Sequence, residues 1–525
     1  MKPIPILFLL LVLALEITSQ TILSSSSWFL SLFLFIFVLS LNYWFIPGGF
    51  AWRNYCYSDN HAEKPIKLCG PMGWPILGSL PQMGSLAHRK LATMAASLNA
   101  KRLMAISLGA NPVIIASHPE TAREILCSSA FSDRPIKESA RLLMFERAIG
   151  FAPNGAYWRQ LRRIAAVHLF CPKRISGLEG TRRHVAEEMT ERVSKEMEEK
   201  GVVEMRGILQ EGSLRSIMEG VFGNCTSSKR EELGQLVKEG YELIVQFNWE
   251  DYFPFKFMDF GGVKRKCHRL AGRVNRVVGQ IVEERKITEK LKGEEENDFL
   301  GALLSLPKEE RLSDSDTVAI LWEMMFRGTD TVALLVEWIM ARMVLHQDIQ
   351  TKARQEIDEC LGQQHNHVQD FHISNLPYLQ SIVKEVLRLH PPGPLLSWAR
   401  LAVHDVHVGK FHVPAGTTAM VNMWAITHDS SVWDDPWAFK PERFMKDDVS
   451  IMGSDLRLAP FGAGRRVCPG RALGIATVHL WLAQLLHRFV WLPIEPVDLS
   501  ECLKLSLELK KPLRCKVVPR FNNRL

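Results

Sequence analysis

The sequence predicts a mainly α-helical protein with a small β-sheet, preceded by an N-terminal membrane-anchor helix. Three observations predict this. Apolar residues recur at helical spacing over long stretches from about residue 80 onward. Strand-like pieces are short, few and clustered. An uncharged apolar block of bilayer length stands near the N-terminus.

Composition bounds the rest. Of 525 residues, 47% are hydrophobic and 23% charged, which excludes a disordered chain. The net charge of +7 comes from 64 Lys and Arg against 57 Asp and Glu, spread evenly, so nucleic acid is not an expected partner. Ten cysteines are scattered singly with no CxxC pair, which argues against a zinc knuckle or a thioredoxin-like site. They read as reduced packing thiols of a cytosol-facing body. Cys468 stands apart because of its neighbours.

The anchor comes first in order. Ile4 to Leu15 is a short apolar block ended by Glu16. Trp28 to Ile46 is uncharged, rich in Leu and Phe, and bracketed by Trp28, Tyr43 and Trp44, as a single spanning helix with aromatic belts would be. Pro47, Gly48 and Gly49 stop it. Arg53, Lys64 and Lys67 follow while only Lys2 precedes, so the bulk of the chain is expected on the cytosolic side. The first block reads either as a cleaved leader or as one arm of a hairpin. The organisation expected is an anchor region at 1–50, a linker at 51–69 and one catalytic domain at 70–525. Dense Gly and Pro between Cys69 and Gly78 form a stiff elbow at that boundary.

In the body, periodicity predicts helices over Pro119–Ser128, Tyr157–Leu169, Arg182–Lys200, Glu231–Val245, Lys264–Leu291, Ser315–His346, Gln350–Leu361 and Leu376–Leu389. Strands are expected at Met104–Leu108, Val113–Ala116, Val406–Val408 and Thr418–Asn422. The acidic run Lys292–Asp298 reads as a solvated loop.

The chemistry concentrates in four segments. Phe461-Gly-Ala-Gly-Arg-Arg-Val-Cys-Pro-Gly470 precedes a helical stretch from about Arg471 to Leu486. Glycines let a backbone turn pass beneath a flat cofactor, and the start of a helix favours a charged thiolate. Glu385 and Arg388, at i and i+3, share a helical face. Gly328 sits in mid-helix, where glycine costs about 1 kcal/mol relative to alanine. Trp158 and Arg162, at i and i+4, both offer donors to a carboxylate.

Together these segments resemble the cytochrome P450 family. Phe461, Gly464, Arg466, Cys468 and Gly470 match every fixed position of its heme-binding pattern, F-x-x-G-x-R-x-C-x-G. The resemblance implies the P450 fold and heme b (iron protoporphyrin IX), with Cys468 as axial thiolate and metal ligand. Glu385, Arg388 and Arg443 of Pro441-Glu-Arg-Phe444 would form a buried structural network, in which removing one partner costs about 3–5 kcal/mol. Gly328 would open the helix to make room for O2, and Asp330 with Thr331 would relay protons. Trp158, Arg162, Arg466 and Arg400 match partners of the heme propionates. The chain departs from the pattern at Arg327, where Ala or Gly is usual. Arg327 either meets a polar substrate group or turns outward into a salt bridge.

Phe131-Ser-Asp-Arg-Pro135, Gly150 to Trp158, Ser397 to Leu401 and Phe326-Arg-Gly-Thr-Asp-Thr331 are similar to plant microsomal P450s of the KLUH type, associated with organ and seed growth. That resemblance implies residence in the endoplasmic reticulum membrane, contact with membrane lipid, and a monooxygenase using O2. Its electrons would come from NADPH through NADPH-cytochrome P450 reductase, since the chain has no flavin or dinucleotide motif. Arg159, Arg163 and Arg465 are candidates for the docking face. A small lipophilic substrate is expected, a fatty acid or derived growth signal among the candidates. Pocket walls are expected from residues 137–151, 322–326 and 395–398. An isomerase or dehydratase of the same fold, or a heme sensor without catalysis, are the rival readings; Asp330 and Thr331 argue against both.

Overall fold

The computed structural model describes residues 46–53, 68–223, 225–254, 259–292, 298–362, 367–396 and 399–521. The expected anchor, Trp28 to Ile46, lies outside these residues except for Ile46, as do most of the linker, residues 293–297 and Trp398. Among the described residues, no helix is long and apolar enough to cross a membrane.

The principal helices are α1 (Ala156–His168), α2 (Glu179–Lys200), α3 (Met205–Phe222), α4 (Ser227–Ile244), α5 (Val263–Lys292), α6 (Asp314–Leu345), α7 (Pro377–Leu389) and α8 (Arg471–Arg488). α6 is the axis. The Ser313 hydroxyl caps it by accepting the Asp316 amide at 3.2 Å, and Asp314 and Asp316 put negative charge at the positive end of the dipole. Every residue from Asp316 to Phe326 is buried, so this stretch has no solvent face. A helix apolar all round belongs in the middle of a fold.

α6 joins two cores. Its first half, Val318 to Phe326, packs with residues of α1, α4 and α5. Its second half, Ala333 to Val344, packs with α2, α7 and α8. Between them most of the stretch from Arg327 to Val332 faces an internal cavity. The helix therefore holds the site between two rigid bodies of packing.

A four-stranded sheet lies to one side, built from β1 (Met104–Leu108), β2 (Asn111–Ala116), β3 (Arg400–Leu401) and β4 (Thr418–Val421) in the order β1-β2-β4-β3. β1 and β2 run antiparallel, β2 and β4 parallel, and β3 and β4 antiparallel with Arg400 opposite Ala419. The Leu401 amide also donates to the Asp133 carbonyl at 2.9 Å, which brings Arg134 beside Arg400.

Besides several short helices of six residues or fewer, two longer ones appear that periodicity does not predict, Ala87–Ser97 and α3. α3 lies along α6 and is buried on several faces at once. Such a helix shows no amphipathic stripe, the signal that periodicity needs.

Candidate active site

The turn before α8 is built by its glycines. Gly462 and Gly464 take φ of +70° and +66°, in the left-handed region that costs glycine nothing. A Cβ on Gly464 would stand 2.1 Å from the Leu126 carbonyl oxygen, so no side chain fits there. The Cys468 amide donates to the Phe461 carbonyl at 3.0 Å and closes the loop. Two guanidinium groups hold its far side: Arg162 Nη1 donates to Val467 O at 3.0 Å and Arg471 Nη1 to Cys468 O at 3.1 Å. Gly470 caps α8, placing the helix start just past Cys468.

Cys468 and Phe461 line the internal cavity, and among the described residues no other cysteine does. Gly328, Asp330 and Thr331 reach the same cavity from α6. Two chain segments more than a hundred residues apart thus meet around one space, a thiol on one and a hydroxyl and carboxyl on the other.

Arginines gather on one side of this space. Arg134, Arg400 and Arg466 line it, with Arg162 close behind the Cys468 turn. Burial, reinforced by Arg466, pushes the Arg400 guanidinium down to about 9, and burial pushes Arg466 down to about 10. Burial also lowers Arg162, and lowers Arg134 well below the usual range with Arg400 adding to it. Excess positive charge is therefore destabilised here. Arg400 Nη2 donates to Ala463 O at 3.2 Å, while Nη1 is buried with no acceptor. A flat group carrying two carboxylates beside a thiol-binding metal fits this donor set.

Trp158 and Arg466 also bond to backbone carbonyls beside the cavity. The Trp158 indole donates to Ile149 O at 3.0 Å, and its ring lies 4.4 Å from the Arg466 guanidinium. Arg466 donates to the carbonyls of Ser132 (2.8 Å), Ile149 (3.1 Å) and Ala152 (2.7 Å), and reaches Asp133 at 3.5 Å. Both residues brace the segment from Ser132 to Ala152 against the cysteine turn.

On α6 the acid and the alcohol diverge. Thr331 is open to the cavity. Asp330 accepts from Gln210 Nε2 of α3 at 3.3 Å, and burial lifts its carboxyl to about 6. Gly328 has a packing reason: a Cβ there would stand 2.8 Å from Ile217 Cγ1 of α3. α6 runs through Gly328 as one helix.

Arg327 makes its salt bridge along the cavity wall and not outward. It lines the cavity, and its Nη1 pairs with Glu323 Oε1 at 3.0 Å. Of the expected pocket walls, Ile149, Glu323, Met324, Phe326 and Leu396 line the cavity.

Glu385, Arg388 and Arg443 come together away from the cavity. Arg388 makes two bonds to Glu385, at 2.8 and 2.9 Å, both side chains wholly buried, and Arg443 Nε approaches Glu385 at 3.1 Å. The remaining Arg388 donors go to the carbonyls of Thr427 (2.8 Å), Pro436 (2.7 Å) and Ala438 (3.2 Å). None of the three lines the cavity, so they hold the fold and touch no ligand. Arg159 and Arg465 are exposed; Arg163 is paired with Glu310 at 2.9 Å.

Sequence reasoning missed Arg134 and Gln210 as site residues, and had Glu323 only as part of an expected pocket wall. Glu323 carried a signal, since it stands four residues before Arg327 on one helical face.

A protein that gathers buried guanidinium groups beside a single cavity thiol is shaped for a metalloporphyrin, which defines the class: heme-thiolate proteins. Residues 69–517 match the Cytochrome P450 family model, and the chain belongs to that family. It is similar to Cytochrome P450 78A5 of Arabidopsis thaliana, 54% identical over 485 residues that cover 90% of this chain and 92% of that one. Cytochrome P450 78A3 of Glycine max is 50% identical over 495 residues, 92% of this chain and 93% of its own. More distant is the Flavonoid 3'-monooxygenase of Arabidopsis thaliana, 33% identical over 89% of this chain and 94% of that one. The 78A relatives correspond to the KLUH-type subfamily that the sequence resembles. The protein is a P450 monooxygenase with a heme-thiolate cofactor, and its family works with a redox partner, O2 and a small substrate.

Proposed function

We propose that the chain inserts one oxygen atom of O2 into a small lipophilic molecule, with electrons from NADPH through NADPH-cytochrome P450 reductase. Cys468 would ligate the heme iron through its sulfur, and Arg400 with Arg162 and Arg134 would hold the propionates. Heme, when bound, supplies the activation of O2. This chain's residues do the rest. The turn from Phe461 to Gly470 fixes the direction of the sulfur. Thr331, open to the cavity, donates a hydrogen bond there and passes on the proton that Asp330 resupplies. Apolar side chains such as Phe170, Phe326 and Leu335 exclude water and favour an apolar substrate.

The observation that carries this reading is the convergence of Cys468 and Thr331 on one cavity. In the same proposal the N-terminal block at 28–46 anchors the protein in the endoplasmic reticulum membrane with its body in the cytosol. The exposed Arg159 and Arg465, with Arg163, receive the reductase. A role in plant organ growth, expected from the KLUH-type resemblance, belongs to it too.

The test is a reductase-reconstituted assay with NADPH and a medium-chain fatty acid or alcohol as probe. Thr331→Ala should keep consuming NADPH while product per NADPH falls at least tenfold and peroxide rises. An unchanged product yield would refute the relay. Product formed without O2 and NADPH would instead favour an isomerase.

A further inference from the structure

Glu323 and Arg327 form a built feature of the cavity wall that the monooxygenase reading leaves without a role. Both line the cavity, one helical turn apart on α6. Glu323 is 1% exposed, and its Oε1 is doubly used, accepting from the Gly150 amide at 2.7 Å and from Arg327 Nη1 at 3.0 Å. Its Oε2 is buried with no hydrogen-bond partner.

The chain makes room for this pair. A Cβ on Gly150 would stand 2.2 Å from Arg327 Nη1 and 2.6 Å from Glu323 Oε1, so glycine is what lets the backbone close over it. Gly150 belongs to the segment braced by Arg466 and Trp158, whose bonds to Ile149 and Ala152 fix its position. The pair is thus held from both sides.

A buried carboxylate oxygen without a donor is destabilising unless something supplies one. Glu323 lines the ligand cavity, beside a guanidinium on the same wall. We infer that Glu323 and Arg327 recognise a neutral polar group of the substrate, a hydroxyl or a primary amide, which donates to Glu323 and accepts from Arg327. The inference rests on the reading of this cavity as the substrate site and narrows its lipophilic substrate.

Charge decides between this group and a free carboxylate. Glu323 already pairs with Arg327, and Arg134 and Arg400 of the cavity are assigned above to the heme propionates, so a second carboxylate at this place would meet like charge from Glu323 in a poorly solvated space. It would also bring no proton for Oε2. A hydroxyl or amide satisfies both groups and leaves the pair neutral. The substrate's polar end then sits at α6, and its apolar remainder lies along the walls that hold Phe326 and Leu396.

The test uses the heme-loaded full chain and three probes of equal chain length: dodecan-1-ol, dodecanamide and dodecanoate. Binding is read as the heme spin-state shift on titration. The wild-type protein should bind the alcohol and the amide at least tenfold more tightly than the carboxylate. Glu323→Gln removes the negative charge, and should shrink that preference to within about threefold, a loss of roughly 0.7 kcal/mol or more of discrimination. Arg327→Gln, a milder change at a partly open position, should weaken alcohol and amide at least fivefold. Carboxylate binding as tight as alcohol in the wild-type protein would overturn the inference. So would a preference that survives Glu323→Gln, or alcohol binding untouched by Arg327→Gln. The monooxygenase reading is judged separately, by product formed per NADPH.

Discussion

Ile217 of α3 lies against the bare face of Gly328, so close that a Cβ there would stand 2.8 Å from its Cγ1 and 3.0 Å from its Cδ1. The absence of a side chain at Gly328 sets how near α3 can approach α6. Gly328→Ala should therefore destabilise the protein by about 1–3 kcal/mol through overpacking. Ile217→Ala in the same chain should restore part of that loss. A double-mutant cycle by chemical denaturation checks it, with a coupling energy of about 1 kcal/mol or more expected between the two sites. Additive effects would mean that the glycine serves only the cavity side.

Asp330 gives a pH-dependent stability. Burial lifts its carboxyl from 3.8 to about 6, so between those values the folded protein holds a proton that the unfolded chain releases. The stability from this group is fully present below the unfolded value and is lost as pH rises through the folded one. Asp330→Asn should therefore be more stable than wild type at neutral pH, by up to about 3 kcal/mol. The two stability curves should converge as pH falls below 3.8, the unfolded value. Product per NADPH should fall in the same variant, separating the stability of this position from its use.

Arg400 separates apoprotein from holoprotein. Its buried Nη1 has no acceptor, and the neighbouring Arg466 opposes its charge. Arg400→Met should raise the stability of the heme-free chain and weaken heme binding at least tenfold, as read by heme titration and by denaturation of both forms. A variant less stable in both forms, with heme affinity unchanged, would contradict the role given to Arg400.

Much of this was legible in the sequence where one physical signal dominates. β1 and the short strand Val406–Val408 agree to the residue, and α6 was expected within one residue at each end, because long apolar periodicity survives central burial. α2 and α4 begin three and four residues earlier than periodicity suggests, since their first turns carry mainly polar residues that add nothing to an apolar pattern. α3 left no such trace, and with it went Gln210 and Ile217, which touch Asp330 and Gly328. Glu385, Arg388 and Arg443 were legible through the family resemblance; the i, i+3 spacing of Glu385 and Arg388 does not by itself point to Arg443, 58 residues from Glu385. The contacts of Trp158 and Arg466 were not. They depend on carbonyls of the Ser132–Ala152 segment, and no residue pattern announces where a carbonyl will point. Arg134 stood in a quoted run, yet only the bridge between Asp133 and Leu401 shows that it joins Arg400.

The account turns on Cys468 as the sulfur that binds heme. The most direct measurement is the absorption spectrum of the reduced, carbon monoxide-bound protein for wild type, Cys468→Ser and Cys127→Ser. Wild type and Cys127→Ser should both show the band of a thiolate-ligated heme, and Cys468→Ser should lose it. A thiolate band that persists in Cys468→Ser would contradict the account.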